Sequence, residues 1–236
     1  MDYIIKTDSV AYLDNYFFSK PQPIPKADPG TFEVLAKWFA RDHRQIYFLY
    51  RAVTGADPES FVYLGGYDCQ WAKDESFAYY FWPTKAARQW RALKSKSLGS
   101  FQVLPGCQFS EYARDDEAVF YKGKKIRGAD PQSFQIMTAR QIEDGSASPS
   151  HHFARDERRI YFDGKPVKGV DGESFQVIHT DQASHREYGS DGARAIFYDW
   201  ARTKRVVVPC ERLPTSLQEV FRGLPGLAVH QEQPSA

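Results

Sequence analysis

Asp42, Asp74, Asp115 and Asp156 each follow a basic residue and precede a pair of aromatics. Asp57, Asp130 and Asp171 form a second set, each 15 residues after Asp42, Asp115 and Asp156 in turn. Carboxylates in pairs can act as general acid and general base. A residue that returns wherever the chain turns is better explained by the turn, because its carboxylate accepts backbone N–H groups there. The same reasoning sends the recurring aromatics to a core rather than to stacking on bases.

The six histidines are His43, His151, His152, His179, His185 and His230. Adjacent His151 and His152 would face opposite sides of a strand. His179 and His185, with Asp181 between them, are the better metal-ligating set, and solvated loop residues explain them equally well. Cys69, Cys107 and Cys210 make an odd count with no close pair, which points to reduced, buried thiols in the cytosol. No glycine-rich phosphate loop, GxSxG elbow, HExxH, EF-hand loop or CxxC is present. The reading is therefore of a chain that is not an enzyme, with no metal and no cofactor. Lys122, Lys124, Lys125 and Arg127, with Lys165 and Lys168, read as a solvated basic face.

The elements that hold these residues are copies of one unit. Residues 155–178, RDERRIYFDGKPVKGVDGESFQVI, nearly repeat residues 114–137, RDDEAVFYKGKKIRGADPQSFQIM. Residues 39–64 and 71–104 carry the same pattern, and weaker copies flank these four. Internal repetition of this kind marks an array whose outer members are atypical. The units run approximately over 3–38, 39–70, 71–111, 112–152, 153–187 and 188–229 of one domain, with a flexible tail at 230–236.

Each unit predicts three or four short strands and one helical turn, so the fold class is mainly β. Asp163-Gly164 is a two-residue hairpin signal, and Lys122-Gly123 fills the same place. Asp28, Asp57 and Asp130 suit a helix N-cap with proline next, for a single turn of helix. Phe32, Phe61, Phe101, Phe134 and Phe175 then face the core. Residues 139–150 read as a polar surface loop, and 213–220 echo the closing motif with Leu217 in place of Phe.

A formal net charge of +1 lacks the field of a nucleic-acid binder. The N-terminus has no secretory signal, and the longest apolar run, 77–82, is too short to span a bilayer. The expectation is a cytoplasmic chain with no membrane and no nucleic-acid partner.

The stretches RDERRIYF, RDDEAVFY, RDHRQIYF and KDESFAYY, followed by G-K-x-[IV]-x-G-[AV]-D-[PG]-x-S-F at Gly123–Phe134 and Gly164–Phe175, resemble the bacterial DKNYY family. The resemblance covers most of residues 27–220, and the Lys-Asn pair of the family motif is absent from every copy. It implies a bacterial protein without a catalytic motif, of a kind that often supplies partners for toxins of interbacterial competition.

Positions where a copy breaks its own rule are free for recognition. An insertion at 81–100 brings Trp82 and Trp90 near Arg88 and Arg91. The first full copy replaces the turn glycine with Leu49-Tyr50-Arg51, and the last carries Trp200 and Arg202. Trp, Tyr and Arg are enriched at binding hot spots. For Trp90, plugging a gap in the core is an equal alternative. The leading expectation is a cytoplasmic immunity protein that neutralises a toxin through these residues. The alternatives are a structural or envelope-associated repeat module, then a hydrolase with an unrecognised site.

Overall fold

The computed structural model describes residues 2–13, 19–65, 70–82, 90–105, 111–179, 187–199 and 204–223. The chain is mainly β, and one α-helix occurs among the described residues. It divides into two compact units: Met1–Val103 with Gln108–Lys125, and Leu104–Cys107 with Ile126–Ala236. Asp14 and the tail at 230–236 lie outside the described residues.

The first unit holds a three-stranded sheet and three four-stranded sheets. Strand Phe39–Arg41 shows how a sheet starts. Asp42 Oδ1 accepts the N–H groups of Arg44 and Gln45, both at 2.8 Å, so the chain turns back into Ile46–Phe48. Leu49 then adopts φ +57°, and Arg51–Ala52 returns to complete a two-residue hairpin. Lys122 with Gly123, and Asp163 with Gly164, stand at the equivalent tips with both residues at positive φ, whereas in the first full copy only Leu49 is. Leu49 lacks glycine's freedom there, but its side chain is fully buried. That burial offsets a left-handed backbone costing roughly 1–2 kcal/mol.

The fourth strand of each such sheet comes from the copy before it. Glu33–Ala36, which follows Phe32, pairs with Phe39–Arg41. Val62–Tyr63 pairs with Trp71–Lys73, and Gln102–Val103 with Tyr112–Arg114. Each sheet therefore straddles a copy boundary, and neighbouring copies cannot fold apart.

Side chains reinforce that junction. Asp42 Oδ2 accepts the Asp28 N–H at 2.9 Å and the buried Tyr47 hydroxyl at 2.8 Å. Asp74 does the same with Asp57 and Tyr79, and Asp156 with Asp130 and Tyr161. Asp115, whose copy has Phe120 in place of tyrosine, takes the Ser95 hydroxyl at 2.6 Å. Asp191, with Ile196 at that place, takes the Asp171 N–H at 3.0 Å.

The closing turns keep the hydrogen bonds of a helix N-cap without a helix to follow. Asp28, Asp57, Asp130 and Asp171 accept the N–H two residues on, and the chain leaves after one bare turn. Only Leu98–Ser100 forms a 3₁₀ helix among these closing turns. The phenylalanines that follow are buried at 61, 101, 134 and 175, and Phe32 is packed against the core in part.

In the second unit two such sheets fuse. Residues 139–150 are not a loop: Gln135–Gln141 and Ala147–Arg155 form a long antiparallel hairpin. Polar residues occupy its solvated face while Met137 and Ala139 are buried, so composition concealed the alternation. The lengthened strand pairs in parallel with Gln176–His179 and so joins an eight-stranded sheet. The echo at 213–220 is corrected as well. After Pro214 the chain forms α-helix Thr215–Arg222, whose Leu217 and Phe221 are buried one helical turn apart.

Removing the Asp156 side chain strands the Tyr161 hydroxyl and three backbone N–H groups. Asp156→Ala should lower unfolding free energy by at least about 3 kcal/mol, with Asp156→Asn in between, by urea denaturation. Burial pushes the Asp42 and Asp156 carboxyls up, but the hydrogen bonds they accept outweigh it and hold both below the usual range. A depressed folded pKa contributes stability above the unfolded value and loses it as pH falls through the folded one. The urea midpoint should therefore drop steeply below about pH 4. A midpoint unchanged well into that acid range would contradict the assignment.

Candidate functional site

The irregular third sheet gathers most of the rule-breaking residues that can be placed. Its edge strand, Trp90–Leu93, has four residues where the sister copies have two. It pairs with Ala78–Phe81 in the register Phe81↔Trp90 and Tyr80↔Arg91. Successive side chains on a strand point to opposite faces. Trp90 and Arg91 therefore serve two separate grooves, both within the first unit.

The groove on the Trp90 side has a volume of about 620 Å³ and is lined by Ile24, Pro25, Tyr50, Arg51, Ala52, Thr54 and Trp90. Trp90 and Tyr50 are half-buried against the aromatic core around Phe39, Phe48 and Phe81. The Arg51 guanidinium lies 5.0 Å from the Tyr50 ring centroid. Its Nε is buried with no hydrogen-bond partner. Trp90 packs on the core and also lines the groove.

The groove on the Arg91 side, of about 520 Å³, is lined by Gln70, Tyr80, Trp82, Arg91, Glu111, Lys122 and Lys124. Trp82 stacks on Tyr80 with centroids 5.7 Å apart. The Arg91 guanidinium sits 5.8 Å from the Trp82 ring and donates to the Lys122 carbonyl at 3.4 Å. Lys122 pairs with Glu111 at 2.8 Å. Gly123 is required at the rim, since at φ +68° a Cβ there would stand 2.8 Å from the Tyr80 Cβ. Two cation–aromatic sets on either face of one edge strand suit an elongated partner with carboxylates and an apolar anchor.

Arg88, Trp200 and Arg202, the other expected contact residues, lie outside the described residues, as do Cys69, Cys107, Asp181 and His185. Cys210 is half-buried with Sγ 3.0 Å from the Ser190 hydroxyl, and burial pushes its thiol up. That favours the unreactive protonated form.

Among the described residues His179 lies beside Glu187 and His151. Its Nε2 lies 3.4 Å from a Glu187 carboxylate oxygen, and its ring centroid is 5.4 Å from that of His151. His152 instead stacks on Phe162 and bonds Asp163 at 2.9 Å. Glu187 is almost wholly buried. Burial pushes its carboxyl up, but bonds from His179, Ser150 and the His151 amide outweigh this and hold it low. Sequence reasoning missed Glu187, which belongs to no repeat position and no spaced motif.

A family model for the DKNYY family matches residues 3–148. The chain belongs to the DKNYY family. The match spans every strand that builds the two grooves and ends before the copy at 153–187, which nevertheless spells the pattern fully. No curated protein and no solved structure matches it. Among the described residues no helix is long and apolar enough to cross a membrane.

Burial separates core rings from groove rings. Trp90→Ala should cost about 1–2 kcal/mol by chemical denaturation, whereas Phe81→Ala, at a fully buried ring, should cost about 3–5. Equal losses would make Trp90 purely a core residue.

Proposed function

We propose that this chain is a non-catalytic protein-binding module that acts as an immunity protein, binding and neutralising a toxin in the cytoplasm. The observation that carries the binding part is the edge strand Trp90–Leu93. Side chains that the repeat does not need, Tyr50, Arg51, Trp82, Trp90 and Arg91, line two grooves on its opposite faces. The regular copies spend their aromatic residues on their own interiors, where Tyr112, Phe120, Phe153 and Phe162 are buried.

The chemistry of the grooves selects the partner's surface. Arg51, Arg91 and Lys124 supply positive charge beside aromatic faces, so the matching surface offers carboxylates near an apolar side chain. The toxin part rests on family membership, since families of this kind often supply partners for toxins of interbacterial competition. A neutraliser must hold its target tightly, which calls for an interface of roughly 1,600 Å². The grooves would be the centre of that interface, not the whole of it.

The test pairs the chain with the product of the adjacent gene. Co-expression should rescue cells from that product, and calorimetry should show a one-to-one complex. Trp90→Ala and Arg91→Ala should each weaken the complex by at least about 2 kcal/mol with the fold intact by circular dichroism. Absence of rescue would remove the toxin reading. Wild-type affinity in both variants would remove the grooves from the interface.

A further inference from the structure

The second unit holds a cluster of ligating groups that the protein-binding reading does not use. His151, His179 and Glu187 each offer one donor atom, and these atoms lie within 4.8 Å of one another. They come from strands Ala147–Arg155, Gln176–His179 and Glu187–Ser190. The lengthened hairpin that fuses the two sheets brings them together, and no regular copy contains the set.

The carboxylate is held in a fixed orientation. Glu187 Oε2 accepts the Ser150 hydroxyl at 2.6 Å and the His152 N–H at 3.1 Å. Oε1 accepts the His151 N–H at 2.7 Å. Each carboxylate oxygen has two lone pairs, and the fourth, on Oε1, faces His179 in a long contact that an ion between the two atoms would replace. His179 Nε2 stands 3.4 Å from that oxygen. A charge-assisted N–H···O bond runs at about 2.7–2.9 Å, well short of this spacing. Two ligands on one tetrahedral ion, with bonds of about 2.0–2.1 Å, stand roughly 3.3–3.4 Å apart. His151 is half-buried, and its donor atom lies within 4.8 Å of the other two.

We propose that His151, His179 and Glu187 form a three-ligand site for a divalent transition-metal ion of the zinc class. Two imidazoles and a carboxylate are the borderline donor set that such ions prefer. Ser150 and the amides of His151 and His152 orient the carboxylate, as the outer shell of a metal site does. Three protein ligands leave a fourth position, on the half-buried His151 side, for water or a partner's ligand. Retention of a carboxylate and an imidazole in a nearly dry interior, where burial is costly, fits a function beyond packing.

The untagged full chain, dialysed against a chelator, is titrated with Zn²⁺ by calorimetry and with Co²⁺ by visible absorption. The expected result is one ion per chain, with the strong ligand-field bands of a four-coordinate cobalt site. Zn²⁺ should also raise the melting temperature, because it binds the folded state. His151→Ala and His179→Ala should each weaken binding more than about tenfold. His43→Ala, at an exposed residue in the other unit, should bind as wild type. Should His179→Ala fail to fold, the half-buried His151→Ala decides alone, with circular dichroism confirming its fold. No binding by the wild-type chain, wild-type affinity in His151→Ala, or an equal loss in His43→Ala would overturn the proposal.

Discussion

At each junction between copies, one carboxylate answers several donors at once. Asp42 accepts two amides of its own turn, an amide from the preceding copy and the Tyr47 hydroxyl. Both oxygens are thereby used fully, and the ionised group needs no water although it is nearly buried. Lose the carboxylate and three separate things fail together: the turn, the seam with the previous copy, and the satisfaction of a core tyrosine. This constraint explains why aspartate, and not asparagine, stands at 42, 74, 115, 156 and 191. An amide would place an N–H₂ donor against other donors.

The rest of the architecture follows from that seam. The closing strand of one copy is the first strand of the next sheet, so none of the four-stranded sheets belongs to one copy alone. A second contact strengthens it. The Ser60 and Ser133 hydroxyls accept N–H groups from the opening turns of the following copies, as Thr31 does from His43. Because each copy supplies both halves of two junctions, nearly every polar position in the pattern is committed. Substitution is free only at the hairpin tips and at the outer strand of each sheet. The departures from the pattern are found there: Tyr50 and Arg51 lie at and just after one tip, and Trp90 and Arg91 begin an outer strand within the 81–100 insertion.

That division sets what could be read from the amino-acid sequence. The interval from Asp42 to Asp57, and the hairpin signal at Asp163-Gly164, arise from local backbone chemistry and are visible in a single copy. Tyr50, Trp82, Trp90 and Arg91 were legible as violations of a known pattern, although their sorting onto two faces needed the register Phe81↔Trp90. The hairpin at 135–155 was hidden because its outer face is polar. Its antiparallel pairing and the long-range parallel pairing with Gln176–His179 together fix it as a strand. Glu187 left no signal, since a lone glutamate acquires meaning only from the strand folded against it.

The two units show two uses of one repeat. In the first, the separate four-stranded sheets survive, and variation at an outer strand yields grooves. In the second, lengthening one closing strand merges neighbouring sheets, and the merged sheet curls until Glu187 reaches the amides of His151 and His152. Gly189 permits that curl. A Cβ there would collide with the rings of Phe153 and Phe175, which close over the strand. A buried carboxylate again stitches two strands, but its donors now come from a backbone three strand positions away in the sheet rather than from an adjacent turn. The difference lies in the last donor: Asp42 and Asp156 take a tyrosine hydroxyl there, whereas Glu187 faces an imidazole, a side chain that can also ligate an ion.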